Sequence, residues 1–133
     1  MIVYTTYLSN RGLINHDNTY EINIMRYPRY ISKDKNSRHY PDLSPSGELL
    51  NNYKQKKINF DTFKKEFWKE INNNKKALYL LNCIEKILDR YNICFVCCEK
   101  DYTICHRYLL AEFFIKKGFE WKELTKEKNA NDN

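Results

Sequence analysis

The segment CCEKDYTICHR, from Cys97 to Arg107, brings an unusual density of chemically capable side chains together. It holds three cysteines, one histidine and one arginine within eleven positions. Cysteine and histidine are the ligands that zinc prefers, and a cysteine thiolate can act as a nucleophile. An arginine guanidinium binds phosphate or carboxylate. The segment therefore raises three alternatives: a metal site, covalent cysteine chemistry, or the binding of an anionic ligand.

The spacing of these residues argues against a zinc site. Its four ligands would be Cys97, Cys98, Cys105 and His106, yet they contain no Cys-x-x-Cys pair. Adjacent residues on a strand point to opposite faces, and adjacent residues on a helix diverge by about 100°. We therefore expect no metal ion, and we expect no other cofactor.

Covalent cysteine chemistry has one candidate nucleophile, Cys105. A thiol at a helix N-terminus beside cationic groups has a lowered pKa, and His106 and Arg107 follow Cys105 directly. However, the Cys-x5-Arg loop of thiol phosphatases is absent, and the segment contains no glycine. The alternative is that Cys97 and Cys105 are small buried side chains.

Ligand binding has a different set of candidates in the same segment. Arg107, at the start of a predicted helix, can hold a phosphate or carboxylate with two hydrogen bonds. Glu99 can accept hydrogen bonds from hydroxyl or amino groups, and tyrosine rings can stack on bases. The structural alternative is that Glu99 and Arg107 simply pair with each other across the loop.

The elements that must position these residues follow from the hydrophobic pattern. Strands are predicted within residues 2–8, 20–27, 92–98 and 119–124, and helices at 45–53, 59–73, 75–91 and 105–118. Because Pro28 follows the second of these segments, its strand is expected to end near Met25 or Arg26. A long loop comes next, and Ser44 is the predicted cap of the first helix.

This order of elements predicts a compact α/β sandwich of three layers with a small, mostly parallel sheet. Residues 1–124 would form one domain and residues 125–133 a flexible tail. In such sheets, ligands bind beyond the carboxyl ends of the strands, where helix N-termini favour anions. The 97–107 segment is such a strand-to-helix connection.

Composition sets the broad class of the protein. The net charge is +6 and the pI is near 9.0, which indicates either attraction to polyanions or a lysine-rich solvated surface. We expect reduced thiols and a cytoplasmic location, because the five cysteines are an odd number and no signal peptide is recognised. No apolar run approaches the ~20 residues of a membrane span, so no membrane partner is expected.

Three blocks of the sequence resemble the domain-of-unknown-function 488 family. CCEKDYTICHR resembles its signature, in which a strand ends in Cys-x-Glu and Cys-His-Arg opens a helix. IMRYPRY resembles its second strand, where an Asp-Val-Arg element precedes a Pro-Arg or Ser-Arg step, and residues 40–71 resemble the stretch that follows. The resemblance covers roughly residues 2–124 and implies a Rossmann-like domain whose activity is not established.

The resemblance also selects residues for a site. Ile24 stands where the acid of the Asp-Val-Arg element is expected, so this chain would bind a ligand without converting it if that acid serves a reaction. The matching positions are Arg26, Arg29, Tyr40, Cys97 or Cys98, Glu99, Cys105, His106 and Arg107.

The leading hypothesis is a protein that binds a nucleotide-like anion. Arg26, Arg29 and Arg107 would converge at one sheet edge if the second and third predicted strands are parallel neighbours. In a phage or mobile element, such a protein could sequester a host immune signalling nucleotide as an anti-defence sponge. The ligand-binding residues would be Arg26, Arg29, Tyr40, Cys98, Glu99 and Arg107.

Two other functions and one further partner stay open. An enzyme acting on nucleotides or nucleic acid, such as a hydrolase or glycosidase-like protein, would use Glu99 as acid/base with Cys105 or His106. A nucleic-acid binding module is permitted by the charge and the tyrosines, and its binding would weaken steeply with salt. The aromatic residues Phe63, Phe67 and Trp68 could serve a homodimer, although their helical spacing favours core packing.

Overall fold

Five strands and four α-helices make up the fold in the computed structural model, which describes residues 1–126. The predicted tail thus lies outside the described residues from residue 127 onward. The strands are β1 (Ile2–Tyr7), β2 (Thr19–Asn23), β3 (Ser37–His39), β4 (Asn92–Cys97) and β5 (Glu120–Glu123). The helices are α1 (Gly47–Lys54), α2 (Phe60–Asn72), α3 (Lys75–Ile87) and α4 (His106–Ile115). Short 3-10 turns lie at Leu8–Leu13, Pro41–Leu43 and Tyr102–Ile104.

All five strands are parallel and form one sheet in the order β3-β2-β4-β1-β5. The central strand β4 is flanked by β1 on one side and β2 on the other, with Phe95 opposite both Thr5 and Ile22. A strand covered on both faces requires a continuous apolar run, and the buried sequence of β4 provides it. The predicted α/β class and parallel sheet are confirmed.

The sheet lies between two layers of different kinds. Phe95 of β4 packs against Phe114 of α4 on one face. Its neighbour Cys94 points to the opposite face, where it stands beside Glu21 of β2. Arg11, from the connection between β1 and β2, forms two hydrogen bonds with the Glu21 carboxylate. The helices therefore cover one face and the β1–β2 connection covers the other, as a three-layer sandwich requires.

The apolar stripe of α2 forms part of the core. Phe63, Phe67 and Ile71 recur at spacings of four and are buried, with the Phe63 and Phe67 rings 6.3 Å apart. Trp68 is half-buried and stacks on Phe113 of α4. Phe63 and Phe67 are thus committed to the core and present no aromatic face for a dimer.

Three local details differ from the predicted elements. Helix α1 begins after Ser46 rather than Ser44, because the Ser46 hydroxyl accepts the Leu49 N–H and Ser46 also bonds to Glu70 of α2. The short edge strand β3 lies inside the predicted long loop, where pairing with β2 alone supports it. On α3, the spacing of Leu78, Leu81, Ile84 and Leu88 predicts a buried stripe, but Leu78 is exposed and Leu80 is buried.

The order of the connections places a crevice between β1 and β4, at the carboxyl ends of these strands. The chain leaves β1 toward β2 and leaves β4 toward β5, so two adjacent strands connect in opposite directions. In parallel α/β sheets, this switch point is where ligands bind, outside the carboxyl ends of the strands. None of the helices in residues 1–126 has both the length and the apolar character needed to cross a membrane.

The N-cap of α3 provides a test of the fold. The Asn74 side chain accepts hydrogen bonds from the Lys76 and Ala77 N–H groups and donates one to Asp42. We expect Asn74→Ala to lower the free energy of unfolding by about 1 kcal/mol, since two helix N–H groups lose their partner. Urea denaturation measures this change. The control is Asn72→Ala, an exposed residue in the last turn of α2; an equal loss in both variants would contradict the capping role.

Candidate functional site

The end of β4 and the start of α4 bring Cys97, Cys105 and His106 together. The sulfur atoms and one imidazole nitrogen lie within 4.8 Å of one another, and all three residues are buried. Cys105 is the N-cap of α4 and has extended backbone angles, with φ −120° and ψ 145°. The helical divergence expected between Cys105 and His106 therefore does not apply. The expected separation of Cys97 from Cys98 does apply, because Cys98 is exposed.

His106 is held in one orientation by a bond across the sheet edge. Its Nε2 lies 2.9 Å from the carbonyl oxygen of Ile24, just after β2. A carbonyl can only accept, so Nε2 carries a hydrogen, and the other ring nitrogen of the neutral imidazole has a free lone pair. That nitrogen, Nδ1, lies 3.7 Å from the sulfur of Cys97 and 4.0 Å from that of Cys105.

The pKa values of the three thiols shift in opposing directions. The neighbouring Cys105 and Cys98 thiols, together with burial, raise the pKa of Cys97 well above its ordinary value. The Cys97 thiol lowers the pKa of Cys98 to about 6, and the positive charge of Lys54 contributes. Burial raises the pKa of Cys105, but interactions with the Cys97 and His106 side chains outweigh it and leave that pKa well below the ordinary value.

The Arg107 side chain is buried and paired within the chain, whereas the sequence predicts it as a ligand-binding residue. Its guanidinium is fully buried and donates to both carboxylate oxygens of Glu123 on β5, at 3.3 and 2.8 Å. It also donates to the backbone carbonyl oxygens of Glu99 and Lys100. Burial lowers the pKa of Arg107, but the bonds to Glu123 outweigh this and raise it. The carboxylate that Arg107 binds is thus supplied by the chain itself.

The expected convergence of three arginines is therefore not formed. Strands β2 and β4 are parallel neighbours, as the hypothesis required. However, Arg107 extends within the helix layer toward β5, on the side of β4 away from β2. Glu99 does not pair with Arg107 through its carboxylate either: only its carbonyl oxygen takes part, and the residue is exposed.

The two other arginines lie on the loop that follows β2. The Nε of Arg26 donates to the carbonyl oxygen of Pro45 at 2.8 Å, while Arg29 is exposed. Between them Tyr27 is 80% exposed. Asn23, the last residue of β2, orders the loop by donating to the Tyr30 carbonyl and accepting the Met25 N–H. The segment Arg26–Tyr30 thus presents cationic and aromatic groups to solvent from an ordered base.

Helix α1 connects this loop with the thiol segment. Near the N-terminus of α1, Gly47 lies by the Tyr27 hydroxyl. At the other end of the helix, the positive charge of Lys54 contributes to the lowered pKa of Cys98. Lys54 is a residue that sequence reasoning missed, because nothing in the local pattern places a helix end beside β4. Tyr40 is half-buried against the core, and burial raises its pKa. Its ring packs on the core and is only partly accessible to solvent.

A separate groove lies away from the sheet edge. It has a volume of about 670 Å³ and is open to solvent along α2. The carboxyl edge is the better candidate for a functional site, because the groove is lined by no thiol, histidine or arginine. Its lining consists of Asp61, Lys64, Lys65, Trp68, Lys69 and Asn72.

The pair of Arg107 and Glu123 can be tested by removing one charge. We expect Glu123→Gln to lower the free energy of unfolding by about 3–5 kcal/mol, because it leaves the buried guanidinium without its counter-charge. Chemical denaturation followed by circular dichroism measures the change. Glu120→Gln removes an exposed carboxylate from the same strand and serves as the control, with an expected change near zero. Equal stability of both variants would show that the pair is dispensable.

Comparison with known protein families gives a match over most of the chain. Residues 7–118 match the model of the family DUF488-N3a, which is described as the active DUF488-N3 subclade. That span contains the loop after β2, helix α1 and the whole thiol segment. No curated protein and no solved structure matches this chain.

Proposed function

We propose, from the premise that this chain belongs to the DUF488-N3a family, that it binds a small nucleotide-like anion at the carboxyl edge of its sheet. The ligand would lie between the loop that carries Arg26–Tyr30 and the loop that follows β4. Arg26 and Arg29 would contact phosphate groups, and Tyr27 would stack on the base. Arg107 has no place among these contacts because Glu123 already occupies it.

The observation that carries this proposal is the exposure of Tyr27 between two arginines. An aromatic ring that is 80% exposed gains nothing from the core, yet here it stands on a loop ordered by Asn23. Exposed aromatic rings beside guanidinium groups are suited to ligands that combine a base with phosphate. The loop after β4, which forms the other side of the proposed site, borders the topological switch point between β1 and β4 and supports the same assignment.

The dimensions of the edge also suit a ligand of this size. Helix α1 has eight residues, so it spans about 12 Å between the Arg26–Tyr30 loop and the loop after β4. A nucleotide extends over a comparable length. At the far end, the exposed Glu99 carboxylate can accept hydrogen bonds from sugar hydroxyls or amino groups, and the exposed Lys54 adds a positive charge.

Binding can be tested with ADP-ribose, cyclic AMP and a cyclic dinucleotide, each followed by thermal shift and calorimetry. We expect at least one of them to raise the melting temperature. Tyr27→Ala should weaken its binding by about 1–3 kcal/mol through lost stacking, and Arg29→Ala by about 1.5–3 kcal/mol through lost charged hydrogen bonds.

Two matched variants control for nonspecific effects. Tyr79→Ala removes another exposed tyrosine, on α3, and Arg90→Ala removes an exposed arginine before β4, at the amino edge of the sheet. Both should bind like the unaltered protein. If none of the nucleotides shifts the melting temperature, or if the control variants lose as much affinity, the proposed site is wrong.

An enzyme acting on the same ligand is the second candidate, because the family is described as an active subclade. Glu99, exposed at the mouth of the site, would then act as the acid/base. Mass spectrometry of the ligand after incubation separates the two functions: an intact ligand indicates binding alone. Conversion that Glu99→Gln abolishes, with binding retained, would indicate an enzyme. Sequestration of a host signalling nucleotide, and an origin in a phage or mobile element, stay predictions.

A further inference from the structure

The cluster of Cys97, Cys105 and His106 has the dimensions of a metal site with soft ligands. In a tetrahedral zinc site, bonds of about 2.3 Å to sulfur and 2.0–2.1 Å to nitrogen place these ligand atoms about 3.6 Å apart. The Nδ1 atom of His106 lies 3.7 Å from one sulfur and 4.0 Å from the other. Small adjustments of the side chains would therefore suffice to close the cluster around one ion.

The support around His106 is of the kind that metal-binding histidines have. Such a histidine donates its other ring N–H to a carbonyl or carboxylate, which fixes the tautomer and the ring orientation. The bond from Nε2 to the Ile24 carbonyl does this and directs the free Nδ1 lone pair toward the two sulfurs. The His106 ring also contacts Phe67, with 5.8 Å between centroids, which restricts its rotation further.

The hydrogen bonds between His106 and the thiols of Cys97 and Cys105 are weak. A thiol is a weak hydrogen-bond donor and a weak acceptor, so two buried sulfurs facing one imidazole lone pair gain little from one another. A divalent ion would give each of the three groups a strong bond. A divalent ion bound by two thiolates has no net charge. It therefore adds no charge next to the guanidinium of Arg107, which Glu123 already neutralises.

We propose that Cys97, Cys105 and His106 bind one divalent ion of the zinc class. Three protein ligands leave a fourth position for water or an external ligand, as in zinc sites of the catalytic type. Cys98 is not a ligand, because it follows Cys97 on the chain and points to solvent. This site goes beyond the proposed nucleotide binding and does not depend on it.

Metal titration of the reduced, chelator-treated protein tests the site. We expect one equivalent of Co²⁺ to produce the absorption of tetrahedral cobalt together with a thiolate-to-cobalt charge-transfer band. Zn²⁺ should displace the cobalt and raise the melting temperature, and a strong chelator should reverse both effects. The readout needs no nucleotide, so its failure leaves the nucleotide experiments unaffected.

Cysteine variants identify the ligands. Cys97→Ser and Cys105→Ser should each abolish the one-to-one cobalt spectrum, whereas Cys98→Ser should keep it. The matched control for a buried thiol is Cys94→Ser, since Cys94 lies on the opposite face of the sheet. Where a variant fails to fold, alkylation of the unaltered protein replaces it: one equivalent of zinc should protect Cys97 and Cys105 but leave Cys98 reactive.

Several results would overturn the proposal. The first is a folded, reduced protein that takes up no cobalt with a thiolate band. The second is a Cys97→Ser or Cys105→Ser variant that binds the ion as tightly as the unaltered protein. The third is loss of the spectrum in Cys98→Ser, or alkylation of Cys97 and Cys105 that zinc does not slow.

Discussion

The buried guanidinium of Arg107 is the contact on which the carboxyl edge of the sheet depends. It joins the edge strand β5, through Glu123, to the backbone of the loop after β4, through Glu99 and Lys100. A charge without solvent needs a counter-charge and a full set of acceptors, and this one has both. The loop can therefore adopt only those conformations that keep its two carbonyl oxygens directed inward.

The neighbours of Arg107 inherit their positions from this constraint. Because the first turn of α4 is fixed against the loop, Cys105 and His106 are presented to Cys97 at the end of β4. The edge thus divides into two parts: an interior cluster of sulfur and imidazole, and an exterior loop with Arg26–Tyr30. The interior part is the proposed metal site, the exterior part is the proposed site of an anionic ligand, and helix α1 lies between them.

Much of the fold followed from local patterns. The spacing of Phe63, Phe67 and Ile71 predicts the buried face of α2. Asparagine is a favoured cap residue, and the Asn59 side chain accepts the Thr62 N–H at the start of this helix. Elements that depend on distant partners were missed or shifted. β3 exists only through pairing with β2, and the start of α1 is set by Glu70 on another helix.

The sequence by itself determined which chemical groups stand at the junction of β4 and α4, because local spacing places residues along a strand, a turn and a helix. Only the tertiary structure decided which of those groups are already satisfied. Glu123, 16 positions from Arg107, occupies the guanidinium, and the Ile24 carbonyl, 82 positions from His106, selects its tautomer. Partners at such separations are chosen by packing, and no local spacing encodes them.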